Sequence, residues 1–171
     1  MAFNKPENCN NAIKKNRKES KMPFKTTRFG EVEFDDTVIT FSDGIPGFEE
    51  FTRYKLFHNI EAGDAPFLFW LQSLEDPDLA FHVIDPFAFG FNYEFVLTDE
   101  ESKKIDASKI EDLAILLMVS KVKIGEENPE EKIKAHVTNP LVINLSSRKG
   151  FQKQLRNIDY DLTIKAPEKD D

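Results

Sequence analysis

The run Pro66-Phe67-Leu68-Phe69-Trp70-Leu71-Gln72-Ser73-Leu74 constrains the fold more than any other stretch of this chain. It is the densest apolar segment, yet it is too short for a comfortable helix and rich in aromatic side chains, which favour a pleated surface. A strand over residues 67–74 is therefore expected. Both of its faces are apolar, with Phe67, Phe69 and Leu71 on one and Leu68, Trp70 and Leu74 on the other. A strand of that kind needs a central place in a sheet or a second layer above it. The following Glu75-Asp76-Pro77-Asp78 is turn chemistry. Residues 79–84 then read as an antiparallel partner strand, stopped by Asp85-Pro86.

The rest of the chain repeats this scale. A hairpin is expected over residues 25–34 with Gly30 near its turn. Gly44, Pro46 and Gly47 mark a turn between the short runs 38–41 and 53–58. Further strands are expected at 93–97, 113–124, 132–138, 141–145 and 151–155. Thr98 and Glu101 have capping-box spacing, so a short helix should run to about Ile105, and Ser108 with Glu111 repeats the spacing. Nine or so short strands with one or two small helices indicate an all-β domain, a small antiparallel β-barrel or sandwich. At 171 residues the chain is long enough for one such domain.

Three stretches differ in composition. Residues 1–21 carry six Lys or Arg against two Glu, a net of +4, and hold few aliphatic side chains. They are expected to form a disordered basic extension, with Met22 an alternative start. They lack the apolar core of a signal peptide. Residues 22–165 form the domain, and 166–171 a frayed acidic end. The whole chain is at −8, which leaves −12 on residues 22–171. Such a body repels nucleic acid and attracts a basic partner, or serves solubility alone. No apolar run approaches the length of a membrane-spanning helix, so no membrane partner is expected.

Catalytic machinery is hard to find. Gly30, Gly44 and Gly47 match no phosphate-loop or dinucleotide spacing. The single cysteine, Cys9, lies in the basic extension. His58, His82 and His136 are isolated, and His82 lies on an apolar strand, as structural histidines do. The cluster Glu75, Asp76 and Asp78 offers carboxylates for acid–base work or a divalent cation, as a metal-assisted hydrolase would need. The same residues are ordinary in a hairpin loop. No catalytic residue, metal site or cofactor is therefore expected. Phe87, Phe89, Phe91, Tyr93 and Phe95 recur every second residue, which in an extended segment gives one apolar face, either core or a groove for a partner peptide. Between Glu61 and Asp99 there is no Lys or Arg, so a nucleic-acid stacking platform is excluded there.

Several motifs, in order, resemble the FliW family of flagellar assembly factors. They are Thr27-Arg28-Phe29-Gly30-Glu31-Val32-Glu33, Gly44-Ile45-Pro46-Gly47-Phe48-Glu49, and the stretch from Trp70 to Phe81 with its Leu74-Glu75-Asp76-Pro77-Asp78. Asp85-Pro86-Phe87, Tyr93-Glu94-Phe95 and Asn139-Pro140-Leu141-Val142-Ile143-Asn144 follow. The resemblance covers residues 24–158. It implies a non-enzymatic, cytoplasmic, β-barrel-like protein that binds and antagonises the translational repressor CsrA and also binds flagellin, without direct contact to nucleic acid. A flagellin export chaperone with no anti-repressor activity is the alternative. Charged contacts are assigned to Glu75, Asp76 and Asp78, and apolar contacts to Leu71, Leu74, Phe87, Phe89 and Phe91. Trp70 is assigned to the core. Two departures stand out: Ala135-His136-Val137-Thr138-Asn139-Pro140 in place of a more apolar family segment, and the basic extension itself.

Overall fold

Short strands with alternating burial can satisfy every ladder position only by curling their sheet closed, and this chain does so. The structure, a computed structural model, describes residues 23–32, 37–58, 68–124, 130–156 and 162–164. Its strands are β1 (Phe24–Thr26), β2 (Gly30–Val32), β3 (Ile39–Phe41), β4 (Arg53–His58), β5 (Leu68–Ser73) and β6 (Ala80–Ile84). After the helix α1 (Asp99–Lys104) come β7 (Leu113–Ile124), β8 (Glu130–Ala135), β9 (Leu141–Asn144), β10 (Lys149–Gln152) and β11 (Leu162–Ile164). The order β7-β6-β5-β4-β3-β10-β9 returns to β7, a closed seven-stranded barrel. Its pairings are antiparallel except for the parallel pair β3–β10. Strands β8 and β11 continue the sheet beyond the ring, and β1–β2 is a separate hairpin.

Strand parity divides the apolar side chains into two clusters. Phe41, Tyr54, Leu71, Val83, Leu116, Leu141 and Ile143 pack together as the barrel interior. The alternate positions Ile84, Leu113, Ile115, Leu117 and Val142 form a second cluster on the outer wall. The chain from Pro86 to Ile105 covers that wall, contributing Phe87, Phe89, Tyr93, Phe95, Leu97 and Ile105. The two-faced apolar strand is thereby explained: Leu71 packs inward, and Leu68 packs against the outer cluster.

Two expectations need correction. Residues 93–97 form no strand, although burial alternates along them from buried Tyr93 to exposed Glu94. Strand β6 already has β5 and β7 as neighbours, so an extended chain arriving after closure can only lie across the outside. The Tyr93 hydroxyl holds it there, donating to the Val137 carbonyl at 2.9 Å. Residues Pro86–Phe89 are a 3-10 turn, capped by the Asp85 side chain and ended by Gly90 in the left-handed region, so the period-two row of phenylalanines is broken at its start. Strand β11 was not foreseen. Residues 1–21 and 166–171, together with Phe34 and Phe67, lie outside the described residues, as do residues 125–129 of the charged loop expected over 125–131, whose last two residues belong instead to β8.

Six residues are too few for a helix to persist alone, so α1 depends on its anchors. Its capping box is complete: Thr98 Oγ1 accepts from Glu101 N, and Glu101 Oε2 accepts from Thr98 N. The same Glu101 carboxylate receives Lys153 Nζ at 2.7 and 2.8 Å. The Lys153 side chain is only 10% exposed, beside the Phe95 ring. Burial alone would raise the Glu101 pKa, but the Lys153 hydrogen bond, the Thr98 backbone donor and the Lys153 charge outweigh it and hold it below 4.5. Asn144, 2% exposed, ties the far end of the helix to the β9–β10 turn. Its Nδ2 donates to the carbonyls of Ile105 and Asp106, and its Oδ1 accepts from Ser146 N and Ser147 N.

Two glycines are fixed by space. At Gly44, with φ +70°, a Cβ would lie 2.4 Å from Glu49 Cα. At Gly150 it would press at 3.0 Å on the fully buried Phe41 ring.

Replacing Glu101 by Gln leaves the buried Lys153 ammonium without its counter-charge and should cost about 3–5 kcal/mol, whereas Lys153→Met should cost less. Urea unfolding of the two variants checks the order. Asn144→Ala leaves the Ile105 carbonyl with only the Ser147 hydroxyl and removes the partner of the Asp106 carbonyl and of two backbone N–H groups, and should lower stability by roughly 1–3 kcal/mol in the same assay.

Candidate interaction surface

The β5–β6 loop gathers the three carboxylates singled out in the sequence. Gln72, 1% exposed, organises it from the end of β5. Its Nε2 faces the carbonyls of Ser73, Asp76, Pro77 and Leu79 at 2.9, 3.2, 3.4 and 2.9 Å. Ser73 Oγ accepts from Glu75 N and Asp76 N.

Each carboxylate has a structural task. Glu75 Oε2 accepts from Thr52 N at 2.5 Å and Arg53 N at 3.0 Å, and Oε1 takes Arg53 Nε at 3.3 Å. This fastens the loop to the start of β4. Burial would raise the Glu75 pKa, but the two backbone donors and the Arg53 guanidinium prevail and lower it. Asp76 Oδ1 accepts from Asp78 N, which shapes the turn. Asp78, exposed, accepts the Thr27 hydroxyl at 2.5 Å, and Thr27 N donates to the Pro77 carbonyl. A shallow depression lies between hairpin and loop, lined by Thr27, Arg28, Gln72, Pro77 and Asp78.

The hairpin tip is the part that sequence reasoning missed. Phe29 stacks on Phe57 with ring centroids 4.3 Å apart, and the Arg28 guanidinium lies 4.0 Å from the Trp70 ring. Trp70 is buried, as expected, but on the outer wall beneath this hairpin and not in the barrel interior. The His82 ring lies against it, tilted by 38° with ring centroids 3.5 Å apart. The signal was present in sequence as alternation: Phe57, Trp70 and His82 are directly paired across β4, β5 and β6.

The expected contact residues do not make one surface. Leu71 and Leu74 are 0% and 1% exposed, so they offer a partner nothing to touch, and their assignment as contacts is withdrawn. Phe87, Phe89 and Phe91 are half-buried, and the first two pack on the outer-wall cluster. They lie at the opposite end of β6 from the acidic loop, about 17 Å away along a five-residue strand. Among the described residues, no group of three or more His, Cys, Asp or Glu is arranged to hold a metal ion. No described helix is long and apolar enough to cross a membrane.

Fold and surface define the class: a small closed β-barrel with an acidic loop and a docked hairpin at one end. The sequence profile of the family described as FliW protein matches residues 23–166. The flagellar assembly factor FliW of Chromobacterium violaceum is 41% identical over 142 residues, covering 81% of this chain and 96% of that one. The factor of the same name from Treponema denticola is 41% identical over 137 residues, covering 80% and 87%. A crystal structure of the flagellar assembly factor FliW superposes with a TM-score of 0.68 at 27% identity, over 86% of this chain and 99% of that one. The chain belongs to the FliW family.

Glu75 gives a pH prediction. Its folded pKa is lowered, so its contribution to stability is complete above the ordinary value of 4.5 and is lost as pH falls through the folded value. Glu75→Gln should therefore reduce stability at pH 7 and leave a shallower loss between pH 5 and 3, as read by urea unfolding across that range.

Proposed function

We propose that this protein is a non-enzymatic flagellar assembly factor of the cytoplasm that binds the translational repressor CsrA, antagonises it, and also binds flagellin. Flagellin synthesis would then follow flagellin export, because free flagellin competes for the factor. The observation that carries this reading is the family match across residues 23–166. Charge supports it: a repressor that grips RNA presents a basic surface, and residues 22–171 of this chain hold the acidic excess of −12. Such a surface speeds encounter with the repressor and repels RNA from it. In this reading Asp76 and Asp78 supply charged contacts, Glu75 shapes the loop that carries them, and Phe87, Phe89 and Phe91 belong to a separate apolar contact at the other end of β6.

Calorimetric titration of the full chain with CsrA from the same genome, at low and moderate salt, is the test. Binding that weakens with salt and displaces RNA is expected. Asp78→Asn keeps an acceptor for Thr27 while removing the charge, and should weaken binding roughly 2- to 5-fold, the scale of one exposed charge pair. A folded protein that binds flagellin but not the repressor would overturn the anti-repressor reading in favour of an export chaperone.

A further inference from the structure

We propose that the β1–β2 hairpin is a pH-sensitive latch on the barrel, held by the Phe29–Phe57 and Arg28–Trp70 stacks and released when the His82 ring packed on Trp70 takes up a proton. The hairpin shares no ladder with the barrel. Its tip carries these contacts with the barrel: Thr27 N to the Pro77 carbonyl, Thr27 Oγ1 to Asp78, Arg28 over Trp70, and Phe29 against Phe57 and the edge of Trp70, while Thr26 and Val32 in its strands are 3% and 4% exposed. The other described ring contact of Trp70 is with His82, on strand β6 of the closed ring. When something in this stack must move, the hairpin is therefore the element that can.

His82 stands at one end of that group, against Trp70. Its ring centroid is 3.5 Å from that of Trp70, and among the described residues no hydrogen bond holds either of its ring nitrogens. The charged groups acting on it are both cations: Arg28 from the hairpin and Lys121 from β7. Phe57 on β4 and Trp70 on β5 bring no charge. The indole face would by itself welcome an imidazolium, but it already carries the Arg28 guanidinium at 4.0 Å. Burial, then Arg28, then Lys121 push the His82 pKa below 6.5. The docked hairpin depresses proton uptake, so docking is at full strength above pH 6.5 and loses its advantage as pH falls through the docked value. A proton taken from solvent adds a second positive charge beside the indole that already carries Arg28. Lys121 acts from β7, a strand of the ring, whereas Arg28 belongs to the hairpin, so movement of the hairpin relieves the repulsion from Arg28. Release also takes Thr27 from Asp78, which loosens the acidic loop. Opening of one such peripheral unit, with the barrel intact, is the ordinary scale of sub-global motion.

Trp70 is the single tryptophan of the chain, so its fluorescence reports on this stack directly. The experiment is a titration of the full chain from pH 7.5 to 5, followed by amide and imidazole NMR signals and by Trp70 emission. The expected result is a His82 midpoint below 6.5, with amide signals of residues 24–32 moving at the same midpoint. Trp70 emission should shift to the red while the amides of β9 and β10 stay in place. His82→Phe should abolish the hairpin transition. Arg28→Gln, which removes the opposing charge, should raise the His82 midpoint toward 6.5, and it decides the matter if His82→Phe does not fold. A His82 titration that leaves the hairpin amides unmoved overturns the latch, as does a hairpin transition that persists in His82→Phe. An unchanged midpoint in Arg28→Gln overturns it as well.

Discussion

Strand β7 is shared among three neighbours, and the rest of the molecule depends on that division of its hydrogen bonds. Leu113–Leu116 pair with β9, Leu117–Val119 with β6, and Val119–Ile124 with β8. The first two pairings close the ring, and the third carries the sheet past it. Closure leaves the barrel without open edges among its seven strands, which removes the usual hazard of unpaired strand borders. It also fixes what the rest of the chain can do. Residues 86–105 and the β1–β2 hairpin join no ladder of the ring and attach from outside, mainly through side chains.

These outer elements are held by polar groups that are few but well satisfied. Glu101, Asn144 and Tyr93 each bridge chain segments separated by dozens of residues. Glu75 does the same for the acidic loop, through Thr52 and Arg53. The acidic character of the loop thus has two origins. Glu75 and Asp76 are acceptors that the backbone requires there, and Asp78 is the most exposed of the three. An acidic cluster read from sequence looks like a single functional unit, whereas in the folded chain its members are divided between holding shape and facing solvent.

That difference describes what was legible in advance. The capping box of Thr98 and Glu101, the twelve-residue run of β7 and the hairpin around Gly30 were readable because their signals are local: a spacing, a periodicity, a turn residue. The barrel-like all-β class followed from many such short runs together. Which face of β5 looks inward was not readable, because both faces are apolar and only closure decides between Leu71 and Leu68. Residues 93–97 alternate as a strand does, and that alternation reflects burial on one side without a ladder on the other. The ion pair of Glu101 with Lys153 spans 52 positions and leaves no local trace. The stack of Arg28, Trp70 and His82 is of the same kind, since its members meet only after β4, β5 and β6 are in register.

The parallel pairing of β3 with β10 has a consequence for biogenesis. Thr40 is aligned with Lys149 and Phe41 with Gly150, so the ring is completed by a strand made more than a hundred residues after its partner. On a ribosome, β3 and the first half of β7 must wait with unsatisfied borders until β9 and β10 emerge. High contact order of this sort slows folding and exposes apolar strands meanwhile. The nascent chain is thus an open, adhesive sheet for most of its synthesis and becomes a closed vessel only near the end.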